Sequence, residues 1–164
     1  MKLAVLVAPQ RFEITQAPVN AVELADVRLG DDVLIIGAGF MGNLVQKLVS
    51  LRGPRHVIVA DTRPDALERA AELGATRVVD VRSESLPEVV AGLTGGIGAD
   101  VTFEVTGAQG PLATVGEVTR MSGKIVLVGY HQGAPRQIRW VTGTGWRSRS
   151  STRTSGRSRR SCAG

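Results

Sequence analysis

The stretch VLIIGAGFMG, residues 33–42, decides the fold of this chain. Its first four residues form a continuous apolar run, as expected of a β-strand that is buried on both faces. Residues 40–52 then place apolar side chains at spacings of three and four, which predicts an amphipathic helix. Between the strand and the helix, Gly37, Gly39 and Gly42 form the pattern G-x-G-x-x-G. In this context the pattern predicts a turn whose backbone binds the diphosphate of a dinucleotide.

The three glycines have separate expected tasks. Gly37 permits the tight turn, Gly39 lets the backbone approach the pyrophosphate, and Gly42 lets the helix pack closely on the strand. The N–H groups of Phe40, Met41 and Gly42, together with the positive end of the helix dipole, then attract the diphosphate. A plain strand-to-helix turn without a ligand is the alternative interpretation.

Strands and helices alternate along most of the chain. Four further apolar strands are predicted at residues 56–60, 77–80, 100–105 and 124–128, and three further helices at residues 64–73, 86–93 and 111–120. Because short loops join these elements, the strands should be parallel and joined by right-handed crossovers. The sequence therefore predicts an α/β fold with a doubly wound, mostly parallel Rossmann sheet over residues 31–138.

Asp61 is the second element of the predicted site, since it ends the second strand, 19 residues after Gly42. A carboxylate there can accept hydrogen bonds from the ribose hydroxyls of an adenosine and would repel the 2′-phosphate of NADP. The sequence thus predicts NAD(H) as the cofactor, with NADP less favoured, while Arg63 could soften that preference. An N-cap for the following helix is a second role for Asp61, compatible with the first.

Loops after the fourth and fifth strands should complete the pocket, because ligands of such sheets lie beyond the carboxyl ends of the strands. We expect backbone contacts near the nicotinamide from residues 105–107 and 128–130. His131 is better explained as an exposed loop residue, and His56 as a structural or exposed one. The predicted cofactor-binding residues are Gly37, Gly39, Phe40, Met41, Gly42, Asp61, Arg63, Val105, Thr106, Gly107, Val128, Gly129 and Tyr130.

Composition excludes several classes of function. One cysteine, Cys162, and two histidines leave no internal disulfide and no closed zinc site of Cys and His ligands. No apolar run approaches the ~20 residues needed to cross a bilayer, so no membrane partner and a cytoplasmic location are expected. The net charge of +5 comes from residues 139–164, which carry seven Arg and no acid. That stretch, rich in Arg and Ser, predicts a disordered basic tail.

The chain resembles a known family in several ordered segments: GDDVLIIGAGFMG (30–42), VIVAD (57–61), ALERAAELGAT (66–76), LTGGIGADVTFEVTG (93–107) and GKIVLVGYHQG (123–133). These are similar to the medium-chain dehydrogenase/reductase superfamily, in its zinc-containing alcohol and polyol dehydrogenase branch. The resemblance covers about residues 22–138. It implies hydride transfer between an alcohol or carbonyl substrate and NAD(P), a catalytic zinc ion, and homo-oligomers paired through a sixth strand.

The opening MKLAVLVAPQRFEI resembles the first hairpin of the family's GroES-like catalytic domain. After Pro18 the chain passes directly to Ala21, without the family's residues for the catalytic zinc, the structural zinc and the substrate pocket. No catalytic or metal-binding residue is therefore predicted, and a substrate only for an intact relative. The expected organisation is a hairpin remnant at 1–18, a connector at 19–30, the NAD-binding domain at 31–138 with five of the family's six strands, and a tail at 139–164.

The tail departs from the family pattern as well, since WVTGTGWRSRSSTRTSG (140–156) stands where the family has a helix and its sixth strand. Reading two bases into the Trp140 codon permits an amphipathic family-like helix, which favours a frameshift near Arg139. Three hypotheses follow: a truncated dehydrogenase that binds NAD without catalysis, an intact oxidoreductase misrepresented by this reading frame, or a nucleotide-binding module. In the third, the Arg-rich tail binds nucleic acid or another polyanion. The first is favoured, because the hidden frame explains the tail without selection for charge.

Overall fold

A computed structural model describes residues 3–8, 11–15 and 18–129 of the chain. Seven strands and five helices follow one another in this part, and the alternation of strand and helix begins at residue 32. In chain order they are β1 (Leu3–Ala8), β2 (Arg11–Thr15), α1 (Pro18–Ala25), β3 (Asp32–Ile36), α2 (Phe40–Ser50), β4 (His56–Asp61), α3 (Pro64–Glu72), β5 (Arg77–Asp80), α4 (Leu86–Leu93), β6 (Ala99–Glu104), α5 (Gln109–Val118) and β7 (Thr119–Leu127).

Five parallel strands form the centre of the fold, in the order β7-β6-β3-β4-β5. Val33 of the central strand β3 lies opposite Val57 of β4 and Val101 of β6. From β3 the chain builds outward through β4 and β5, and then crosses to the other side for β6 and β7. This reversal makes the carboxyl end of β3 the topological switch point of the sheet, where such sheets bind ligands. The predicted α/β class and parallel Rossmann sheet are confirmed.

Helices cover both faces of the sheet. On one face, apolar side chains of α2 and α3, among them Val45 and Ala66, pack against the sheet with Ile35 and Phe103. On the other face, α4 and α5 contribute a second apolar cluster against Leu34, Ile58 and neighbouring strand residues. Strands buried from both sides explain why residues 33–36 are apolar without alternation. The double winding that the alternation predicts is therefore present.

The chain before β3 adds to the sheet and to the core. Strand β1 pairs antiparallel with β2 and with β7, where Ala4 lies opposite Leu127, so the sheet has seven strands in all. Helix α1 occupies residues for which the sequence predicts only a connector. Its Ala21, Val22 and Ala25 are buried, because their spacing of one and three places them on one face against the core. Within the described residues, no helix is both long and apolar enough to span a membrane.

Candidate functional site

The glycine-rich turn connects β3 to α2 at the carboxyl end of the central strand. Gly37 has φ +109°, a conformation that favours glycine, and its N–H donates to the carbonyl oxygen of Ala60 at 2.7 Å. A Cβ atom at Gly42 would overlap the carbonyl oxygen of Gly37 and would lie 3.7 Å from Ile35 Cγ2. Helix α2 therefore packs directly on the turn, and only glycine fits at residue 42.

The first turn of α2 presents an open surface beside this loop. Gly39 is the N-cap and has no side chain to satisfy the N–H groups of residues 40–42, which by helix geometry have no carbonyl partner within the helix. The nearest atom to a Cβ at Gly39 would be Arg63 Nη2, 3.8 Å away. Met41 packs partly into the core, whereas 82% of the Phe40 side chain is exposed. The turn can thus receive an anion through its backbone.

Asp61 lies at the end of β4, directly beside the turn. Its Oδ2 accepts the N–H of Ala38 at 2.7 Å, and its Oδ1 accepts the N–H groups of Thr62 at 2.7 Å and Arg63 at 2.9 Å. Burial opposes ionisation, but hydrogen bonds from the Arg63 guanidinium and from these amides hold the pKa of Asp61 below its usual range. The N-cap of α3 is Arg63 rather than Asp61, so the alternative role of Asp61 as a helix cap is wrong.

Arg63 covers the outer side of this carboxylate. Its guanidinium Nε lies 3.3 Å from Asp61 Oδ1, and its Nη2 lies 3.4 Å from Oδ2. The Arg63 side chain is 54% exposed, while that of Asp61 is 9% exposed. A partner arriving from solvent would therefore meet the guanidinium before the carboxylate.

At the same edge of the sheet, the loop after β6 meets the glycine-rich turn, and the loop after β7 packs on the loop after β6. The Val105 N–H donates to the carbonyl oxygen of Ile36 at 2.9 Å, and Thr106 Cγ2 lies 2.9 Å from the position that a Cβ would take at Gly37. Val128 is fully buried in the core, so only its backbone faces this edge. The remaining predicted residues on these loops are Gly107 and Gly129, which are described, and Tyr130, which with His131 lies outside the described residues.

Glu104 also lies at this edge, although the sequence predicts it only as part of a strand and not as a residue of the site. It is fully buried, and its Oε1 accepts the N–H groups of Thr106 at 2.7 Å and Gly107 at 3.1 Å, besides the Thr106 hydroxyl. A signal for it was present in the sequence. Glu104 is the one acidic residue in the apolar run of residues 101–105, directly before Thr106 and Gly107.

A zinc ion does not fit the described residues. No group of three or more His, Cys, Asp or Glu side chains lies close enough to hold a metal ion in residues 3–8, 11–15 and 18–129. Cys162 and His131 fall outside these ranges. No step of chemistry is therefore assigned to zinc within this part of the chain.

The chain matches known proteins over most of its length. Residues 41–160 match the family model of zinc-binding dehydrogenases, well over half of the 164 residues. L-threonine 3-dehydrogenase from Edwardsiella ictaluri is 37% identical over 105 residues, which are 64% of this chain and 31% of that protein. The enzyme of the same name from Alteromonas mediterranea is 41% identical over 103 residues, 62% of this chain and 30% of that protein. The chain thus spans about a third of the length of these curated relatives.

Solved structures of the same kind superpose on this chain. Alcohol dehydrogenase TADH from Thermus sp. ATN1 has a TM-score of 0.70 and 26% identity, over 76% of this chain and 37% of that one. A protein from Sinorhizobium meliloti 1021, described as a zinc-binding dehydrogenase and solved bound to NADP, has a TM-score of 0.70 and 28% identity, over 74% and 36% of the two chains.

The family match continues to residue 160, through the stretch that the sequence sets apart as a tail, so it gives no support to a boundary at residue 138. It also contains Met41 and Gly42 at the end of the turn, Asp61 and both later loops, whereas residues 37–40 lie before its start. The Rossmann fold, the glycine-rich turn and the family match all indicate the same kind of domain. The chain belongs to the zinc-binding dehydrogenase family, and the parallel sheet with its helices from β3 to β7 is the family's NAD(P)-binding Rossmann domain.

Proposed function

We propose that this chain binds NAD(H) at the carboxyl ends of β3, β4, β6 and β7, as the cofactor-binding domain of a zinc-type alcohol, polyol or threonine dehydrogenase. The observation that carries the proposal is the Asp61 carboxylate, held against the glycine-rich turn by the Ala38 N–H at 2.7 Å. The alcohol or carbonyl substrate and the zinc ion belong, in this proposal, to parts of the relatives beyond the third that this chain matches. Binding without catalysis is the function assigned to the chain by itself.

The diphosphate of the cofactor is assigned to the first turn of α2. An anion there meets the N–H groups of residues 40–42 and the positive end of the helix dipole. The open side at Gly39 supports this assignment, because the nearest atom to a Cβ at that position would be 3.8 Å away. Phe40, the first residue of α2, is largely exposed beside the same surface.

The adenosine ribose is assigned to Asp61. Its lowered pKa keeps the carboxylate ionised at neutral pH, so the two oxygens can accept the ribose hydroxyls and repel a 2′-phosphate. Arg63 opposes that selectivity, because its guanidinium already lies on Asp61 and offers a partner to a phosphate. We assign NAD as the preferred cofactor because of Asp61. We assign weaker binding of NADP because of Arg63, and because a relative at 28% identity was solved bound to NADP.

The nicotinamide end is assigned to residues 105–107 and 128–130. Backbone groups of the first loop lie beside the turn at Gly37, through Thr106, and the second loop packs on the first at Gly107 and Gly129. Both loops follow the carboxyl ends of β6 and β7, at the same edge of the sheet as Asp61. One extended ligand can therefore reach all three regions.

We assign strands β1 and β2 to a remnant of the family's GroES-like catalytic domain, as their sequence resemblance suggests. Their position beside β7 also suits a structural role in the sheet. Strand β7 would otherwise leave an edge of unpaired N–H and C=O groups, which invites association with other chains. The pairing of Ala4–Leu6 with Ile125–Leu127 covers that edge.

The test is a titration of the chain with NADH and NADPH, comparing wild type with Asp61→Ala and Asp61→Asn. We expect the dissociation constant for NADH to rise about tenfold in Asp61→Ala, as for the loss of hydrogen bonds to a charged group. Asp61→Asn keeps an oxygen for the Ala38 N–H but loses the charge, so the preference for NADH over NADPH should narrow.

Asp80→Ala is the matched control, since Asp80 ends the neighbouring strand β5 in register with Asp61. The hydrogen bond from Arg82 lowers the pKa of Asp80 to about 2, so this carboxylate is engaged in a local pair of its own. Both cofactors should bind this variant as they bind the wild type. An unchanged NADH to NADPH ratio in both Asp61 variants would refute the role of Asp61, and a wild-type chain that binds neither cofactor would refute the proposed function.

A further inference from the structure

We propose that Glu104 is a positioning residue, which shapes the loop at residues 105–107 so that the site receives the nicotinamide half of the cofactor. The inference rests on the proposed binding of NAD(H) and adds a residue that need not touch the ligand. Glu104 is fully buried at the end of β6, although the burial of a carboxylate is costly unless hydrogen bonds compensate for the lost water. Its compensating partners identify its role.

Three donors converge on one oxygen of Glu104. The N–H of Thr106 lies 2.7 Å from Oε1, the N–H of Gly107 lies 3.1 Å from it, and the Thr106 hydroxyl donates to the same atom. The Thr106 hydroxyl also accepts the N–H of Ala108 at 3.0 Å, the N-cap residue of α5. The carboxylate thus sets the course of the chain from the end of β6 to the start of α5.

The other oxygen faces the loop after β7. Oε2 lies 2.8 Å from the position that a Cβ would take at Gly129, and Gly107 Cα lies 2.7 Å from the same position. The backbone oxygen of Glu104 accepts the N–H groups of Val128 at 2.8 Å and Gly129 at 2.9 Å. Glu104 therefore contacts both loops to which the nicotinamide end is assigned, and holds the distance between them.

Thr106 extends this arrangement to the glycine-rich turn. Its Cγ2 would lie 2.9 Å from a Cβ at Gly37, so the threonine fills the space that the missing side chain leaves. The adenosine side of the site has separate supports, because Asp61 is held by Ala38, Thr62 and Arg63. Loss of the Glu104 carboxylate should consequently disturb one half of the site and spare the other.

The experiment measures the affinity of the full chain for NADH and for ADP-ribose, which lacks only the nicotinamide. In Glu104→Ala we expect the dissociation constant for NADH to rise about tenfold, the effect of losing hydrogen bonds to a buried charged group. The dissociation constant for ADP-ribose should change by less than about twofold, because a substitution has little effect on the energetics of a distant, independent site. Glu104→Gln retains a carbonyl oxygen as acceptor and should recover most of the NADH affinity. Thr106→Val removes one donor and should give a smaller loss with the same selectivity.

Asp32→Asn is the matched control, because Asp32 is a buried carboxylate at the opposite end of the neighbouring strand. It should lower the melting temperature and leave the ratio of the two affinities unchanged. A parallel loss of NADH and ADP-ribose, or no loss of either, would overturn the role of Glu104 while the proposed function stands. If Glu104→Ala does not fold, the selective loss must appear in Thr106→Val, and its absence there overturns the role equally. A wild-type chain that fails to bind NADH would overturn both proposals.

Discussion

The two ends of the parallel sheet bury carboxylates in different ways. At the amino end, Asp32 is 2% exposed, and its partners are side chains: the Arg55 guanidinium on both oxygens and His56 Nδ1 at 2.8 Å. At the carboxyl end, Asp61 and Glu104 accept hydrogen bonds chiefly from main-chain N–H groups. Cationic side chains are thus the main partners of the buried carboxylate at the amino end, whereas main-chain N–H groups are the main partners at the carboxyl end.

The direction of the helices explains this difference. Helices that follow parallel strands begin at the carboxyl edge, where their N-termini supply N–H groups and positive potential. They end at the amino edge, where carbonyl oxygens favour cations. Lys124 at that edge donates to the carbonyl oxygen of Ala25 at 2.6 Å, at the last residue of α1. Asp100 there pairs with Arg120, so a second carboxylate of this edge also has a cationic partner.

We therefore expect substitutions at the amino end to lower the stability of the fold and substitutions at the carboxyl end to weaken cofactor binding. The largest expected effect comes from Gly42→Ala, where the two properties should fail together. Because the new Cβ would overlap the Gly37 carbonyl oxygen, α2 must move away from the turn. We expect the free energy of unfolding to fall by about 3 kcal/mol and NADH binding to be lost. Chemical denaturation and NADH titration measure the two effects.

Gly92→Ala in α4 is the control for that substitution. A Cβ at Gly92 would have no atom within 4 Å, so alanine should be neutral or should stabilise the helix by up to about 1 kcal/mol. NADH affinity should remain that of the wild type. If Gly42→Ala were as harmless as Gly92→Ala, the close packing of turn and helix would not be required for the site.

Asp32→Asn should lower the stability of the fold without changing its affinity for NADH. The loss of a buried charged partner of Arg55 and His56 should cost about 2 kcal/mol at pH 7, with NADH affinity unchanged. Burial raises the pKa of Asp32, but hydrogen bonds from Arg55 and His56 outweigh it, so the folded pKa lies below the ordinary value. The stabilisation is therefore complete above the unfolded pKa of about 4 and is lost as the pH falls through the folded pKa.

Denaturation curves of wild type and Asp32→Asn between pH 5 and pH 2 measure this dependence. The difference in unfolding free energy should be constant near pH 5 and should shrink below about pH 4. Other carboxylates titrate in both proteins and cancel in the difference. A difference that stays constant down to pH 2 would mean that the charge of Asp32 contributes nothing, and a weaker NADH affinity would break the division between the two ends.

The glycine-rich turn and Asp61 could be placed from the sequence because their signals are local. Apolar runs, helical spacing and the interval of 19 residues from Gly42 to Asp61 all lie within one strand-helix-strand unit. The roles of Glu104 and Asp32 could not be placed in the same way. Asp32 depends on Arg55, 23 residues away. Glu104 has local partners for Oε1, but its Oε2 faces Gly129 on a loop that only the fold brings near.

The hairpin of β1 and β2 was predicted, but its pairing with β7 and the helix α1 were missed. Pairing of Ala4 with Leu127 joins residues that lie at opposite ends of the described chain, and no local pattern encodes such a partner. Helix α1 has eight residues and is followed by Asp26, whereas the equally short α4 is followed closely by Gly95 and Gly96, which mark a helix end in the sequence. The stability of α1 comes from burial of Ala21, Val22 and Ala25 against the core rather than from helix propensity.

The smallest expected effect concerns Arg63, whose guanidinium partners the Asp61 carboxylate at the carboxyl end. Because its guanidinium is half exposed, Arg63→Ala should change the free energy of unfolding by less than about 0.5 kcal/mol. NADPH affinity should fall about threefold to fivefold, since a 2′-phosphate loses the cation beside Asp61, while NADH affinity changes less. Parallel titrations with both cofactors measure the ratio. A stability loss comparable to that of Asp32→Asn would show that ion pairs support the fold at both ends, and the distinction drawn from their hydrogen-bond partners would then fail.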